Sequence, residues 1–306
     1  MPSVFLELAK KVIEEEKRPL TPTEIWEIAQ LRDYDKELLT KGKTPAATLG
    51  ARLYVEVRDN LTSEFITTGT RPKKFILRSL KDSPDINILD VPTPPTHKKA
   101  DYLEKDLHPF LVYYGFYYLK VYLKTIQHQK SNKKVFSKWL HPDIVGCYFP
   151  FGDWEDEVFE VSSLMGSSAI KLYSFELKRE LSFANLREAF FQAVSNSSWA
   201  NEGYLVAAKV DSDNDFLLEL DRLSASFGIG VIRLDIEDPD SSEVILPAKS
   251  RDLLDWETVN KLASTSPDFS EFLKRVKKDI DCREIRREMY DPVLEKEELI
   301  KIPRQL

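Results

Sequence analysis

Cysteine is almost missing from the sequence. Cys147 and Cys282 are the only two in 306 residues, and they lie far apart with no C-x-x-C spacing. Neither a disulfide framework nor a zinc site is suggested, and both read as buried small hydrophobes. Glycine is scarce at 10 residues, while 42% of the chain is hydrophobic and 31% charged. That balance excludes collagenous, low-complexity and disordered classes. No stretch reaches the roughly 18 to 20 consecutive apolar residues of a membrane helix, so no membrane association is expected. The start, MPSVFLELAKKVIEEEKR, lacks the basic flank, apolar core and small-residue cleavage site of a secretory leader, which points to the cytoplasm. Histidine is rare too. His97, His108, His128 and His141 show no His-x-x-x-His pair on a helix and read as structural.

Excess positive charge is also lacking. The net charge is −7, whereas nucleic-acid-binding domains more often run basic. The average hides an asymmetry: residues 1–80 hold 14 Lys and Arg against 12 Asp and Glu, leaving 30 against 39 for the remainder. Between the halves, KDSPDINILDVPTPPTHKK carries Pro84, Pro92, Pro94 and Pro95 without helical or alternating pattern. This predicts two domains, 1–80 and 101–306, joined by a semi-extended linker over 81–100.

In the first eighty residues, Phe5, Leu8, Ala9, Val12 and Ile13 follow a helical period. Thr21-Pro22-Thr23-Glu24 reads as a capping box opening a second helix to about Gln30. Thr44-Pro45 opens a third through Asp59, with Ala47, Leu49, Leu53 and Val57 among its apolar positions. Phe65-Ile66-Thr67 and Lys74-Phe75-Ile76-Leu77 flank a turn and predict a hairpin. Three helices and a terminal hairpin make a winged helix, whose third helix can enter the major groove while the wing touches the backbone. Lys41, Lys43, Thr44, Thr48 and Arg52 lie at or near the start of helix three, and Arg71, Lys73 and Lys74 lie in the wing. Phosphate contact is the functional reading of these groups. Ordinary solvated charge and a protein-docking winged helix are the alternatives.

The larger half predicts a helix from Tyr102 to about Tyr118, strands near 121–129, 141–149 and 170–178, and a helix over 183–197. A strand at 204–210, a helix at 215–227, a strand at 230–234 and a charged helical tail from Trp256 complete it. The order describes an α/β core, a mixed sheet flanked by helices. Pro142-Asp143 precedes Glu176-Leu177-Lys178 by about thirty residues. Strand alternation puts Ser174, Glu176 and Lys178 on one face and Tyr173, Phe175 and Leu177 in the core. Asp143 on a neighbouring strand could meet Glu176 and hold a hard divalent cation through oxygen. Lys178 could then orient a water or stabilise developing negative charge. A bare Glu-x-Lys is weak evidence, and a surface ion pair is the competing reading. Ser195, Asn196, Ser198, Trp199 and Asn201 form a polar run that could contact DNA or cap the preceding helix. The aromatic run Tyr113, Tyr114, Phe116, Tyr117 and Tyr118 reads as helix packing. Lys120, Lys124, Lys130, Lys133, Lys134 and Lys138 could form a basic rim guiding a polyanion towards the acidic residues.

Two resemblances extend this reading. FLELAKKVIEEEKRPLTPTEIWEIA, GKTPAATLGARLYVEVRDN and FITTGTRPKKFILR together resemble the HARE-type helix-turn-helix domain over residues 2–79. That resemblance implies DNA sensing, including sensing of base modification. HPDIVG, YSFELKRE, LREAFFQAVSNSSWANEGYLVA and FGIGVIRLD resemble the PD-(D/E)XK nuclease superfamily over roughly residues 101–250, and more narrowly a bacterial family in which a HARE-type domain precedes such a nuclease. The second resemblance implies a restriction-endonuclease-like α/β/α core with Asp143 and Glu176 as metal ligands and Lys178 as the motif lysine. It further implies that Glu104 supports the metal and that Gln192 lies near the site. The implied activity is a Mg²⁺-dependent endonuclease, with Mn²⁺ as a substitute, acting on double-stranded DNA that includes base-modified DNA. A homodimer would let it cut both strands, though the sequence does not speak to one. The competing expectations are a non-catalytic DNA-binding regulator whose nuclease-like domain serves dimerisation or protein binding, and a nuclease for RNA or single strands.

Overall fold

The computed structural model describes residues 4–37, 45–60, 62–68, 73–80, 102–127, 142–151, 153–165 and 169–302. The expected linker over 81–100 lies outside them, as do Lys41, Lys43, Thr44 and Arg71. The chain divides into two compact units. The first is Met1–Asp101 with Glu237–Ser241 and Glu295–Pro303; the second is Tyr102–Ile236 with Ser242–Leu294 and Arg304–Leu306.

In the first unit, helices α1 (Val4–Glu16), α2 (Pro22–Leu31) and α3 (Pro45–Asp59) precede strands β1 (Phe65–Thr67) and β2 (Phe75–Leu77). The α2 start signal behaves as its residues dictate. Thr21 Oγ1 accepts from the Glu24 amide at 3.2 Å, and the Glu24 carboxylate accepts from the Thr21 amide at 2.7 Å. Two amides that the first turn would leave unpaired are thereby satisfied. β1 and β2 pair antiparallel with Phe65 opposite Leu77. The apolar stripes of the helices converge on Val12, Ile13, Leu20, Ile25, Leu49, Leu53 and Phe75, all fully buried. The expected helix–helix–helix–hairpin order is thus present.

The second unit opens with a 3₁₀ turn at Glu104–Leu107, α4 (His108–Tyr114) and a π-helical turn through Leu119. The expected single helix from 102 to 118 is therefore three short segments. Tyr113, Tyr114 and Tyr118 are buried, in keeping with the packing reading of the aromatic run. Then come β3 (Val121–Thr125), β4 (Ile144–Tyr148), α5 (Asp156–Leu164), β5 (Lys171–Leu181), α6 (Leu186–Asn196), β6 (Glu202–Val210), α7 (Asn214–Phe227), β7 (Gly230–Arg233) and β8 (Glu243–Leu246). Helices α8 (Trp256–Thr265) and α9 (Pro267–Cys282) form the charged tail, and α10 (Lys296–Leu299) falls in the first unit.

The six strands lie in sequence order. β3, β4 and β5 run as an antiparallel meander, β5–β6 and β6–β7 are parallel, and β8 returns antiparallel. A parallel step needs a crossover, which α6 and α7 supply. Register places Cys147 beside Leu172, Val145 beside Ser174 and Glu176 beside Leu205. Those positions share one face, which packs on α6 and α7 through Phe190, Ala193, Phe216 and Leu220, and on α8 and α9 through Leu262, Phe269 and Phe272. The opposite face carries Phe175, stacked on Tyr173 and Tyr204. Gly146 lets β3 and β5 close on that face. A Cβ there would lie 2.5 Å from Val121 Cγ1 and 2.8 Å from Leu123 Cδ2.

β5 departs from the alternation expected of it. Every residue from Leu172 to Leu177 is buried, not only the odd-numbered ones, because helices cover the polar-looking face as well. Cys282 corrects a second expectation: it sits exposed at the end of α9, while Cys147 is buried in the sheet. Among the described residues, no helix is long and apolar enough to cross a membrane.

Candidate active site on β4, β5 and α6

Asp143 is the residue before β4, and the antiparallel register that pairs Ile144 with Phe175 carries it opposite Glu176. Its carbonyl accepts from the Ile126 amide at 2.9 Å, extending the ladder to β3. Its carboxylate accepts from the Leu177 amide at 2.8 Å, tying the first acidic residue to the middle of the Glu-Leu-Lys triplet. Two positions some thirty residues apart in sequence are thus held on neighbouring strands.

Glu176 is 1% exposed, and both its oxygens are engaged. Oε1 accepts from Lys178 Nζ at 2.6 Å, and Oε2 accepts from Asn196 Nδ2 at 2.8 Å. Burial pushes its carboxyl up to about 7, and the nearby negative charge of Asp143 pushes the same way, against the opposing pull of Lys178 and Asn196. The site therefore carries more negative charge than its buried position favours. For Lys178, burial acts downward. The Glu176 carboxylate and its hydrogen bond, then Asp143 and Glu104, together hold the ammonium above its ordinary value. The Glu176–Lys178 pair is partly enclosed, so the expectation of a surface ion pair is corrected by depth.

Glu104 is exposed at the start of the 3₁₀ turn, and its charge reaches Lys178. The neighbouring Asp106 serves a different purpose, since its carboxylate accepts from the Leu103 amide at 2.8 Å. Gln192 is half-buried on α6, but the α6 side chain that reaches Glu176 belongs to Asn196, one turn further on. Asn196 is fully buried, and neither DNA contact nor simple capping describes it. Its carbonyl accepts from Ser174 Oγ at 3.0 Å and from Trp199 Nε1 at 2.7 Å. Asn201, from the same polar run, bonds the Leu172 amide and the Arg251 carbonyl. The run from 195 to 201 therefore locks α6 to β5. A signal for Asn196 does exist in the sequence: it continues the stripe Leu186, Ala189, Phe190, Ala193, and a polar residue on a buried stripe needs a partner.

Among the described residues, no group of three or more His, Cys, Asp or Glu side chains could cage a metal. Two carboxylates offer hard oxygen donors. They suit Mg²⁺, which binds through one or two carboxylates and keeps its waters, and do not suit zinc. The mutual repulsion of Asp143 and Glu176 is what a cation between them would relieve, so the residues present fit the ion.

The basic rim is less available than its spacing suggested. Lys120 pairs with Asp153 at 2.8 Å and Lys124 with Asp291 at 3.1 Å, while Lys130, Lys133, Lys134 and Lys138 lie outside the described residues. His108 Nδ1 lies 3.2 Å from Thr125 Oγ1, joining the start of α4 to β3; His97, His128 and His141 also lie outside. In the first unit, Arg52 is exposed on α3 and Thr48 half-buried. Lys73 stands over the Tyr54 ring at 5.6 Å, and the charge of Lys74 bears on Glu24. The wing lysines therefore start from partnered positions.

Residues 4–80 match the HARE-HTH family, described as an HTH domain of ASXL proteins and restriction endonucleases. The first unit accordingly carries a HARE-HTH domain, which suggests DNA binding. No curated protein and no solved structure matches the chain.

Proposed function

We propose that this chain is a Mg²⁺-dependent DNA endonuclease of restriction type, in which the HARE-HTH domain reads duplex DNA or its modification state and the mixed-sheet unit hydrolyses phosphodiester bonds. The observation that carries the reading is the junction of β4 and β5, where Asp143 and Glu176 meet beside Lys178. The strand and helix order supports it: an antiparallel meander, a crossover helix and a parallel strand is the core expected of a restriction-endonuclease-like domain. Asp143 and Glu176 would hold the cation, with Glu104 adding negative charge at the rim. A divalent ion so held polarises a phosphate and lowers the pKa of a bound water.

The chain's own residues do the remaining work. Burial keeps bulk water from Glu176 and fixes the carboxylate between two donors. Lys178 is held in its charged form by the surrounding carboxylates, so it can donate to the negative charge that develops on a phosphate oxygen. On the recognition unit, Arg52 offers an exposed cation on the helix that would enter the major groove.

The test is to incubate wild type and Lys178→Ala with Mg²⁺ or Mn²⁺ and unmodified, methylated and hydroxymethylated duplexes, alongside single-stranded DNA and RNA. Cleavage of duplex DNA by wild type alone supports the proposal, and the preferred duplex identifies what the assembly reads. Tight duplex binding by both proteins with no cleavage on any substrate would replace it with a DNA-binding regulator. Preferential cleavage of RNA or single strands would replace the substrate class.

A further inference from the structure

The site contains a residue that the Asp-Glu-x-Lys pattern does not include. We infer that Asn196 is a positioning residue: its amide fixes the plane of the Glu176 carboxylate, and so sets the affinity of the site for its divalent cation. This rests on the nuclease reading above.

A carboxylate on a two-carbon stem can rotate about its last bond, and a metal ligand that rotates must be ordered when the ion binds. Glu176 has no such freedom. Lys178 comes from the same strand, two residues on, and holds Oε1 at 2.6 Å; Asn196 comes from a different element and holds Oε2 at 2.8 Å. Two donors on opposite oxygens define the plane, whereas the lysine alone would leave the group free to turn about one bond. The lysine is also a flexible point charge that the proposed chemistry asks to move towards phosphate. That leaves Asn196 as the fixed reference.

Its own placement is rigid. Asn196 is fully buried at the last position of α6. Its carbonyl is anchored by Ser174, which sits on β5 two residues before Glu176, and by the fully buried Trp199. Residue 197 is clamped in turn: a Cβ on Gly203 of β6 would lie 2.3 Å from the Ser197 side chain, so β6 passes against the end of α6 with no spare room. The backbone anchors hold the helix end, and the side-chain amide is left to address the carboxylate. Partners that orient a ligand's unbound side commonly change metal affinity or activity about 10- to 100-fold when removed.

The experiment measures Mn²⁺ binding to the full-length protein by titration calorimetry and by the loss of free-Mn²⁺ paramagnetic signal. Wild type, Asn196→Leu, Asn196→Ser and Glu176→Gln are compared, each with a thermal melt. Asn196→Leu keeps the volume and the backbone anchors but lacks the donor; Asn196→Ser is too short to reach Glu176, and carries the test if the leucine variant does not fold. Both Asn196 variants should bind Mn²⁺ about 10- to 100-fold more weakly than wild type while melting as a single cooperative transition. Wild-type affinity in a folded Asn196 variant overturns the positioning role and leaves the nuclease reading standing. Absence of Mn²⁺ binding by wild type, or binding that survives Glu176→Gln unchanged, overturns both together.

Discussion

Replacing Glu176 by Gln should stabilise the protein at pH 8 in the absence of divalent metal. Glu176 is 1% exposed, and burial followed by the charge of Asp143 pushes its carboxyl from an ordinary 4.5 up to about 7. At 1.36 kcal/mol per pH unit, the ionised side chain costs the folded state roughly 3 kcal/mol relative to the unfolded chain. The sign follows from proton binding. The folded form holds this proton more tightly, so its contribution is fully favourable below about pH 4.5 and is lost as pH rises through about 7. Glutamine is neutral throughout and can accept from Lys178. Because Lys178 is charged in both proteins, the weakened ion pair is already contained in the shift and is not subtracted again. In a unit of this size, roughly 3 kcal/mol corresponds to about 5–10 °C in melting temperature. Melts followed by circular dichroism in chelator should show that gain at pH 8 and little difference at pH 4.5. A glutamine variant melting at or below wild type at pH 8 would refute the reasoning, because the Lys178 pair would then more than offset the burial cost. Stability would thus be traded for a charged site, a common arrangement at catalytic positions.

Other parts of the fold give independent expectations. Thr21→Ala removes the cap acceptor for the Glu24 amide and should cost about 1 kcal/mol by urea denaturation. Burial opposes ionisation of Glu24, but the Thr21 amide and hydroxyl together with Lys74 and Arg18 hold its carboxyl below the ordinary value. That part of the stability is present above its unfolded pKa and should fade as pH falls through the folded one, with an unchanged acid limb in Glu24→Gln counting against it. Gly146→Ala drives a methyl against Val121 and Leu123 inside the sheet and should destabilise by about 1–3 kcal/mol, read as a lowered denaturation midpoint. Arg52→Ala should weaken duplex binding and shallow its dependence on salt by about one unit of slope, and an unaltered slope would place that arginine away from phosphate.

Much of this molecule was legible before its structure. The Thr-Pro-Thr-Glu signal, the apolar stripes and the short β runs located every α-helix and strand of the HARE-HTH domain, because each element there announces itself by local chemistry. The meander carrying Asp143, Glu176 and Lys178 was legible too, since a strand's period of two fixes which side chains are neighbours. What escaped depended on tertiary cover. Alternation says that Ser174 and Glu176 share a face but not that α6 closes over it, so two buried polar groups read as exposed. Asn196 was passed over in favour of Gln192 because both are ordinary helical polar residues until the strand beneath is known. α5 buries none of its residues and β8 has no fully buried position, so neither produces the strong apolar pattern that betrays an element. Cys282 read as buried by residue type alone, yet it ends an amphipathic helix on the solvent side.

The most direct measurement of the central claim is the fate of supercoiled plasmid DNA incubated with wild type, Asp143→Asn and Lys178→Ala in Mg²⁺ and in chelator. Nicked or linear products are expected from wild type in Mg²⁺ alone, with both variants inactive though folded and able to bind duplex. Cleavage that persists in either variant, or in chelator, would contradict the assignment of this site.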